Sequence, residues 1–329
     1  MPLVSIIMAA YNAEEFILST IESILNQSFK DLEIIVVNDG STDNTLEILN
    51  NLNDERITIL SQQNLGQDAA FNLGYRKSKG AYIKFMDADD LISPMMVEIQ
   101  LQTLSGSNDY IAYGEWARFY ENKPEEANFE KLDYWKDMQP IDFLVAREEG
   151  IMLQCGIMLI PRAIIELSGL WDERLILLND TEFYTRVILK SKGIKFSEGA
   201  RLFYRSGRAG SISGGKALKF YESTYLSINL MGELLLKHED SIRTRRLISN
   251  YFLIQYFQFY PKFSDLGKKH EQKIKQYGYV SIKADGGVLF KLIRNIAGWK
   301  IATIIKNIFY ELGYLNHIKK QNIKKSLRQ

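Results

Sequence analysis

The sequence predicts an α/β protein: a mainly parallel sheet flanked by helices, followed by a helical C-terminal region. Three observations lead there. Short apolar runs at 4–10, 33–37, 57–60 and 81–86 alternate with helical patterns over short connections, which implies right-handed crossovers between parallel strands. Three of those runs end in polar clusters, Tyr11-Asn12, Asn38-Asp39 and Asp87 to Asp90. From Ala217 onward the apolar spacing becomes helical throughout.

Each element follows from its local chemistry. Residues 4–10 are almost uninterruptedly apolar, as expected of a strand buried on both faces. A helix follows to about Gln27, with Phe16, Ile17, Ile21, Ile24 and Leu25 on one side. The run EIIVV at 33–37 is a second strand, and the turn after it places Thr42 or Asp43 to cap a helix carrying Leu46, Leu49 and Leu52. Residues 57–60 form a third strand, and Asn64-Leu65-Gly66 opens a helix ending near Lys79-Gly80.

The stretch GAYIKFMDADDL at 80–91 then runs from a buried strand into Asp87, Asp89 and Asp90. Carboxylates so close repel one another, so they belong in water or around a hard cation, Mg²⁺ or Mn²⁺. Alternatively Asp90 or Ser93 caps a helix beginning near Pro94, and both roles are compatible. In a parallel sheet, ligands bind beyond the carboxyl ends of the strands, so the three polar clusters share one edge. Neither G-x-G-x-x-G nor G-x-x-x-x-G-K follows the first strand.

Composition sets wider bounds. The chain has 329 residues, 46% hydrophobic and 25% charged, which suits two domains or one large domain with an appendage. The single cysteine, Cys155, cannot form an intrachain disulfide. The opening MPLVSIIMAAYN lacks the basic segment of a signal peptide, and no uncharged apolar stretch approaches the roughly 18 residues of a membrane span. From Asp285 on, nine Lys and Arg face two acids, so a basic tail follows a mildly acidic body. The body has no continuous basic stripe, so nucleic acid is not the expected partner.

The middle of the chain is rich in Tyr, Trp and Phe between 110 and 135, which suits either a sugar-binding surface or core packing. A strand at 155–160 closes at Pro161, and Asn179 to Val187 opens a helix. The loop 204–215, YRSGRAGSISGG, offers Arg205, Arg208 and many backbone amides to a diphosphate, or links two domains.

The blocks VSIIMAAYNAEEFILSTIESILNQSF, EIIVVNDGSTDNT, NLGQDAAFNLG and GAYIKFMDADD resemble successive blocks of the family 2 glycosyltransferases. The resemblance covers about the first 95 residues and resumes near Gly156. It implies a GT-A (Rossmann-like) fold and inverting transfer from a nucleoside-diphosphate sugar, uridine being the family's commonest base. It places Ala9, Tyr11 and Asp39 around the nucleoside, Asp87 near the ribose and Asp89 on a Mn²⁺ or Mg²⁺, with Asn12, Gly66, Asp68 and Ala88 completing the donor-binding set. Asp180 falls where the family has its general base. A sugar hydroxyl needs such a base, and His238, His270 and His317 all lie outside the blocks, so Asp180 is the choice over Glu182. Arg205 and Arg208 would face the leaving diphosphate.

Four departures stand out. Phe71 replaces the family's usual Arg, Asp68 a small residue, and Asn179 a Glu; a His is missing from 204–215, where Arg208 is the substitute. The expected organisation is a nucleotide-sugar half at 1–110, an acceptor half at 111–215 and a helical region at 216–329. Residues 288–315 read as a basic amphipathic helix, suited either to an anionic membrane surface or to packing on the body. The expected setting is bacterial surface polysaccharide or glycolipid synthesis, in the cytoplasm and peripheral to the inner face of the membrane. The other readings are a nucleotidyltransferase, or a non-catalytic sugar-nucleotide or glycan binder on the same scaffold.

Overall fold

The computed structural model describes residues 2–146, 153–207, 217–280, 283–284 and 286–311. The chain divides into two compact units, Met1–Thr244 and Arg245–Gln329. The first opens with β1 (Val4–Ala10), α1 (Ile17–Leu25), β2 (Leu32–Asp39), α2 (Thr45–Asn50), β3 (Ile57–Gln62), α3 (Gln67–Lys77) and β4 (Tyr82–Asp87). Strands β1 to β4 pair in parallel in the order β3-β2-β1-β4, as the alternating pattern predicts. Helix α3 packs directly on this sheet because Gly74 has no side chain; a Cβ there would stand 2.4 Å from a methyl of Ile7.

The unit continues with β5 (Leu91–Ile92), α4 (Met96–Leu104), β6 (Tyr110–Phe119), α5 (Pro140–Val145), β7 (Met158–Pro161), α6 (Arg162–Ser168), α7 (Asn179–Lys190), β8 (Gly193–Arg205) and α8 (Leu218–His238). All eight strands join one sheet in the order β3-β2-β1-β4-β7-β6-β8-β5. It is mixed: β7 runs antiparallel to β4 and β6, while β6 and β8 are parallel. Strand β7 begins later than the apolar run suggests, because Gly156 turns the chain through the left-handed region (φ 86°). The buried Lys84 ammonium donates to the carbonyls of Gly156 (2.7 Å) and Met158 (3.1 Å) across that irregularity.

One local expectation is corrected. Neither Asp90 nor Ser93 caps α4 with its side chain. The buried Gln27, at the end of α1, does so instead: its Oε1 accepts from Val97 N (3.1 Å) and its Nε2 donates to the Ser93 carbonyl (2.8 Å). A partner 70 residues away in sequence outcompetes the local one.

Helix α8 packs in the first unit through Ser223 and Ser227. The Ser223 hydroxyl accepts from the amides of Ile176 (2.7 Å) and Leu177 (3.2 Å), and Ser227 donates to the Leu178 carbonyl (2.5 Å). Helix α9 (Ile242–Phe259) begins at the unit boundary, and α10 (Ser264–Tyr277) and α11 (Val288–Glu311) make up the described remainder of the second. Within that second unit the buried Phe290 and Ala302 pack with Phe257, Ile293 and Trp299. Gly298 (φ 83°, ψ 161°) breaks α11, so the expected continuous helix is two pieces. Val288 (88% exposed), Leu292 and Ile296 form a stripe in solvent. Residues 312–329 lie outside the described region.

Candidate active site

The strand order reverses between β1 and β4: β2 follows β1 to one side, and β4 lies on the other. A crevice outside the carboxyl ends of strands forms at such a point. Ala9 sits there in register with both Val37 and Asp87. Beyond it Tyr11 is 44% exposed, a large ring left in solvent at the mouth of the crevice. Asn12 takes a left-handed backbone (φ 47°), which Asn tolerates better than most residues. Its Oδ1 accepts from Thr42 N (2.8 Å), tying the loop after β1 to the loop after β2.

Asp39 ends β2 and is buried. Its carboxylate accepts from Gln62 Nε2 (2.8 Å), Leu65 N (2.9 Å) and Gly66 N (2.9 Å). Gly66 adopts φ 95°, a conformation costly for any L side chain, and this aims its amide at Asp39. Asp39 therefore fixes the loop that starts α3.

Asp87 is the last residue of β4 and is half-buried; its Oδ1 accepts from Gln67 Nε2 (2.6 Å). The Ala88 carbonyl accepts from Thr20 Oγ1 (3.0 Å), which pins the turn to α1. Asp89 is half-buried, and its carbonyl accepts from Arg205 Nε (2.7 Å). Asp90 is fully buried: Oδ1 accepts from Arg205 N (2.8 Å), and Oδ2 has no hydrogen-bond partner. Burial, with the charges of Asp89 and Asp87 beside it, raises its pKa well above the usual carboxylate range.

Among the described residues, no group of three acidic, histidine or cysteine side chains is placed to hold a metal unaided. Asp87 and Asp89 offer two carboxylates at one strand end, beside a third whose acidity their charges suppress. Mg²⁺ and Mn²⁺ commonly take one or two carboxylates and complete their shell with substrate phosphates and water. The residues present fit a cation shared with a diphosphate, and do not fit a closed protein cage.

Arg205, at the end of β8, is buried with its guanidinium between the rings of Phe16 (4.6 Å) and Phe119 (4.5 Å). It also donates to Asn122 Oδ1. This buried cation braces the main chain of Asp89 and Asp90. Arg208 lies outside the described residues.

On the facing side, α7 starts after Leu178, which is left-handed (φ 55°). Asp180, the helix's second residue, is half-buried, and its Oδ1 accepts from Thr181 N (2.6 Å). Glu182 is committed elsewhere: it pairs with Arg186 in two contacts, at 2.6 and 2.9 Å. Arg186 also donates to the carbonyls of Ser168, Gly169 and Leu170, stapling α6 and the following loop to α7.

The departures Phe71 and Asp68 lie on α3 and Asn179 opens α7, and they fall into two contact sets, one aromatic and one polar. Phe71 is fully buried against Phe85 (5.1 Å) and Trp171 (5.0 Å), and Trp171 stacks on Phe183 of α7 (3.9 Å, 11°). Asn72 clamps the same loop, accepting from Trp171 N (3.0 Å) and donating to its carbonyl (3.0 Å). Asn179 Nδ2 donates to Asp68 Oδ1 (2.5 Å) and to Gln67 Oε1 (3.3 Å). Asp68 is 3% exposed with its Oδ2 unpartnered. Burial raises its pKa to about 7, the amide of Asn179 opposing the shift and Asp180, Asp172 and Glu182 adding to it. Sequence reading missed Gln67 and the structural parts of Asp90 and Asn179. Their partners lie 20 to 115 residues away, and no local pattern encodes such contacts.

Residues 5–167 match the family described as Glycosyl transferase family 2. An uncharacterized glycosyltransferase of Haemophilus influenzae is 42% identical over 120 residues, 36% of this chain and 48% of that protein. A chondroitin synthase of Pasteurella multocida is 46% identical over 103 residues, 31% of this chain but 11% of that protein. The chain thus spans about half or less of the length of these relatives. Among solved structures, S. aureus TarS 1-349 in complex with UDP-GlcNAc superimposes with a TM-score of 0.68 at 16% identity, over 95% of this chain and 92% of that one. At that identity the likeness concerns the fold, and it agrees with the GT-A architecture expected above.

Proposed function

Residues 5–167 belong to glycosyl transferase family 2, and from that premise we propose that the protein transfers a sugar from a UDP-sugar to an acceptor hydroxyl with inversion. The observation that carries this reading is the meeting of two sets of carboxylates. Asp39, Asp87 and Asp89 stand at the ends of β2 and β4, and Asp180 stands at the start of α7, joined to Asp87 through Gln67 and Asn179. The UDP assignment is supported by the nucleotide sugar bound in TarS, and the polysaccharide setting by the chondroitin synthase relative.

Each residue then has a task. Ala9, Tyr11 and Asn12 border the nucleoside, and Asp39 fixes the Leu65-Gly66 loop beneath it. Asp89, with Asp87, would hold a Mn²⁺ or Mg²⁺, which supplies positive charge for the leaving diphosphate. Arg205 holds the Asp89 main chain in place and adds positive charge nearby. Asp180 takes the proton from the acceptor hydroxyl, and Glu182 cannot compete because Arg186 holds both its oxygens. The hydroxyl oxygen forms the new bond to the anomeric carbon as the bond to the diphosphate breaks. Residues 1–110 serve the donor and 111–215 the acceptor in this reading.

Among the described residues no helix is long and apolar enough to cross a membrane. The exposed Val288, Leu292 and Ile296, with Lys291 beside them, suit contact with an anionic membrane surface that carries the acceptor. Flotation with anionic vesicles tests this; equal binding to neutral and anionic vesicles, or to neither, rejects it.

The deciding experiment is a melting panel with UDP, GDP, CDP and dTDP, each with Mn²⁺ or chelator, followed by nucleotide release from the matching sugar donors. A ligand at about 100 times its Kd stabilises by about 2.7 kcal/mol, a shift of roughly 5–10 °C for a unit of this size. A shift with UDP that chelator abolishes, together with UDP release, is the expected outcome. No shift with any nucleotide rejects the transferase reading.

A further inference from the structure

We propose that Gln67 and Asn179 are positioning residues that lock the donor side of the reaction centre to the helix bearing the base. This inference rests on the function proposed above. The link is continuous on the page: Asp87 Oδ1 accepts from Gln67 Nε2 (2.6 Å), and Gln67 Oε1 accepts from Asn179 Nδ2 (3.3 Å). Asn179 is anchored in turn on Asp68 Oδ1 (2.5 Å). Gln67 opens α3, Asn179 opens α7, and Asp180 follows Asn179 directly.

The residue types suit the task. Gln67 meets an acceptor, the Asp87 carboxylate, at one end of its amide and a donor at the other, so neither Glu nor Lys could serve. Asn179 faces two acceptors, Gln67 Oε1 and Asp68 Oδ1, and brings an amide with two N–H groups. A carboxylate at 179 would lose both N–H groups and could donate to neither Gln67 Oε1 nor Asp68 Oδ1. The buried Asp68 is therefore matched to an amide N–H at 179. Among the described residues no side chain caps α7, and the residue before it is left-handed, so this polar link supplies orientation that a local cap would otherwise give.

The consequence is kinetic. Acceptor oxygen, base and anomeric carbon must align closely, and a displacement of about 1 Å can cost about 100-fold in rate. Losing the link lets α7 move relative to the end of β4 while leaving the Asp39 loop and the Asp89 carboxylate in place. It should therefore lower kcat and spare nucleotide binding.

The test uses the full chain with UDP-GlcNAc and Mn²⁺ as probe, reading UDP release in Gln67→Leu, Asn179→Ala and the double variant. Each single variant should lose about tenfold or more in kcat, with the UDP-induced melting shift kept and the Kd for UDP within about threefold of wild type. The double variant should be no worse than the weaker single, because both break one chain of contacts. Wild-type kcat in Gln67→Leu overturns the proposal, and so do losses that multiply in the double. Should Asn179→Ala not fold, Gln67→Leu decides alone, since Gln67 is half-buried at a helix start. A wild-type protein that releases no UDP defeats the functional reading instead. In that event amide exchange in the first turn of α7 still judges the link: about tenfold faster in Gln67→Leu supports it, and no change overturns it.

Discussion

The carboxylates of the proposed reaction centre occupy two kinds of place. Asp39, Asp87 and Asp89 stand at or just past the ends of strands, while Asp68 and Asp180 lie in the first turns of α3 and α7. Asp39 and Asp68 are equally buried, at 3% exposure. Yet Asp39 accepts three hydrogen bonds, two from backbone amides, whereas Asp68 accepts one and leaves an oxygen unpartnered. Asp39 is fixed by the main chain of the Leu65-Gly66 loop, while Asp87, at the end of β4, accepts from a side-chain amide, Gln67 Nε2. Burial, with the acids crowded at the helix starts adding to it, raises the pKa of Asp68 to about 7. In the reading proposed above, the strand-end and helix-start carboxylates thus differ in how fully their oxygens are hydrogen-bonded.

Four substitutions would break or sharpen that contrast. Asp180→Asn should cost the most, about 100- to 10,000-fold in kcat, with the UDP-induced melting shift intact; turnover near wild type would move the base elsewhere. Asp89→Asn should act on the other side, abolishing the Mn²⁺-dependent part of that shift and turnover with it. A shift that survives chelation in both proteins would separate Asp89 from the metal.

Asp39→Ala leaves Gln62 Nε2 and two backbone amides without their acceptor, and should destabilise the first unit by about 1–3 kcal/mol. Denaturant unfolding reads this, and an unchanged midpoint would show that water replaces the carboxylate at no cost. The smallest effect is the most diagnostic. A carboxyl raised to about 7 when folded binds more protons in the native than in the unfolded state between about pH 4 and 7, so its contribution to stability falls as pH rises through that window. Asp68→Asn should remove that slope, gaining on wild type at pH 8 relative to pH 5. Parallel stability–pH curves would show that Asp68 does not titrate there.

Much of this was legible in the chain. The run at 4–10, buried on both faces, and the strand that ends at Asp87 depend on period and on adjacency, which sequence records directly. The departures at 68, 71 and 179 were visible one by one, but their meaning was not. Phe71 occupies a site surrounded by Phe85 and Trp171, where an arginine would be a buried charge among rings. Arg205 was expected to face a diphosphate; it lies between Phe16 and Phe119, with its Nε on the Asp89 carbonyl. The basic segment after 288 was read as one helix, and Gly298 divides it.

The sequence by itself determined the strand–helix alternation, the sheet edge at which polar residues gather, and the family, because these depend on residues near one another in the chain. Only the tertiary structure decided which acids are satisfied by hydrogen bonds, which have their acidity suppressed by burial, what caps α4, and how the starts of α3 and α7 are joined. Those outcomes depend on burial and on donors supplied from distant segments, and a buried polar group takes its energy from whichever partner the fold brings within 3 Å.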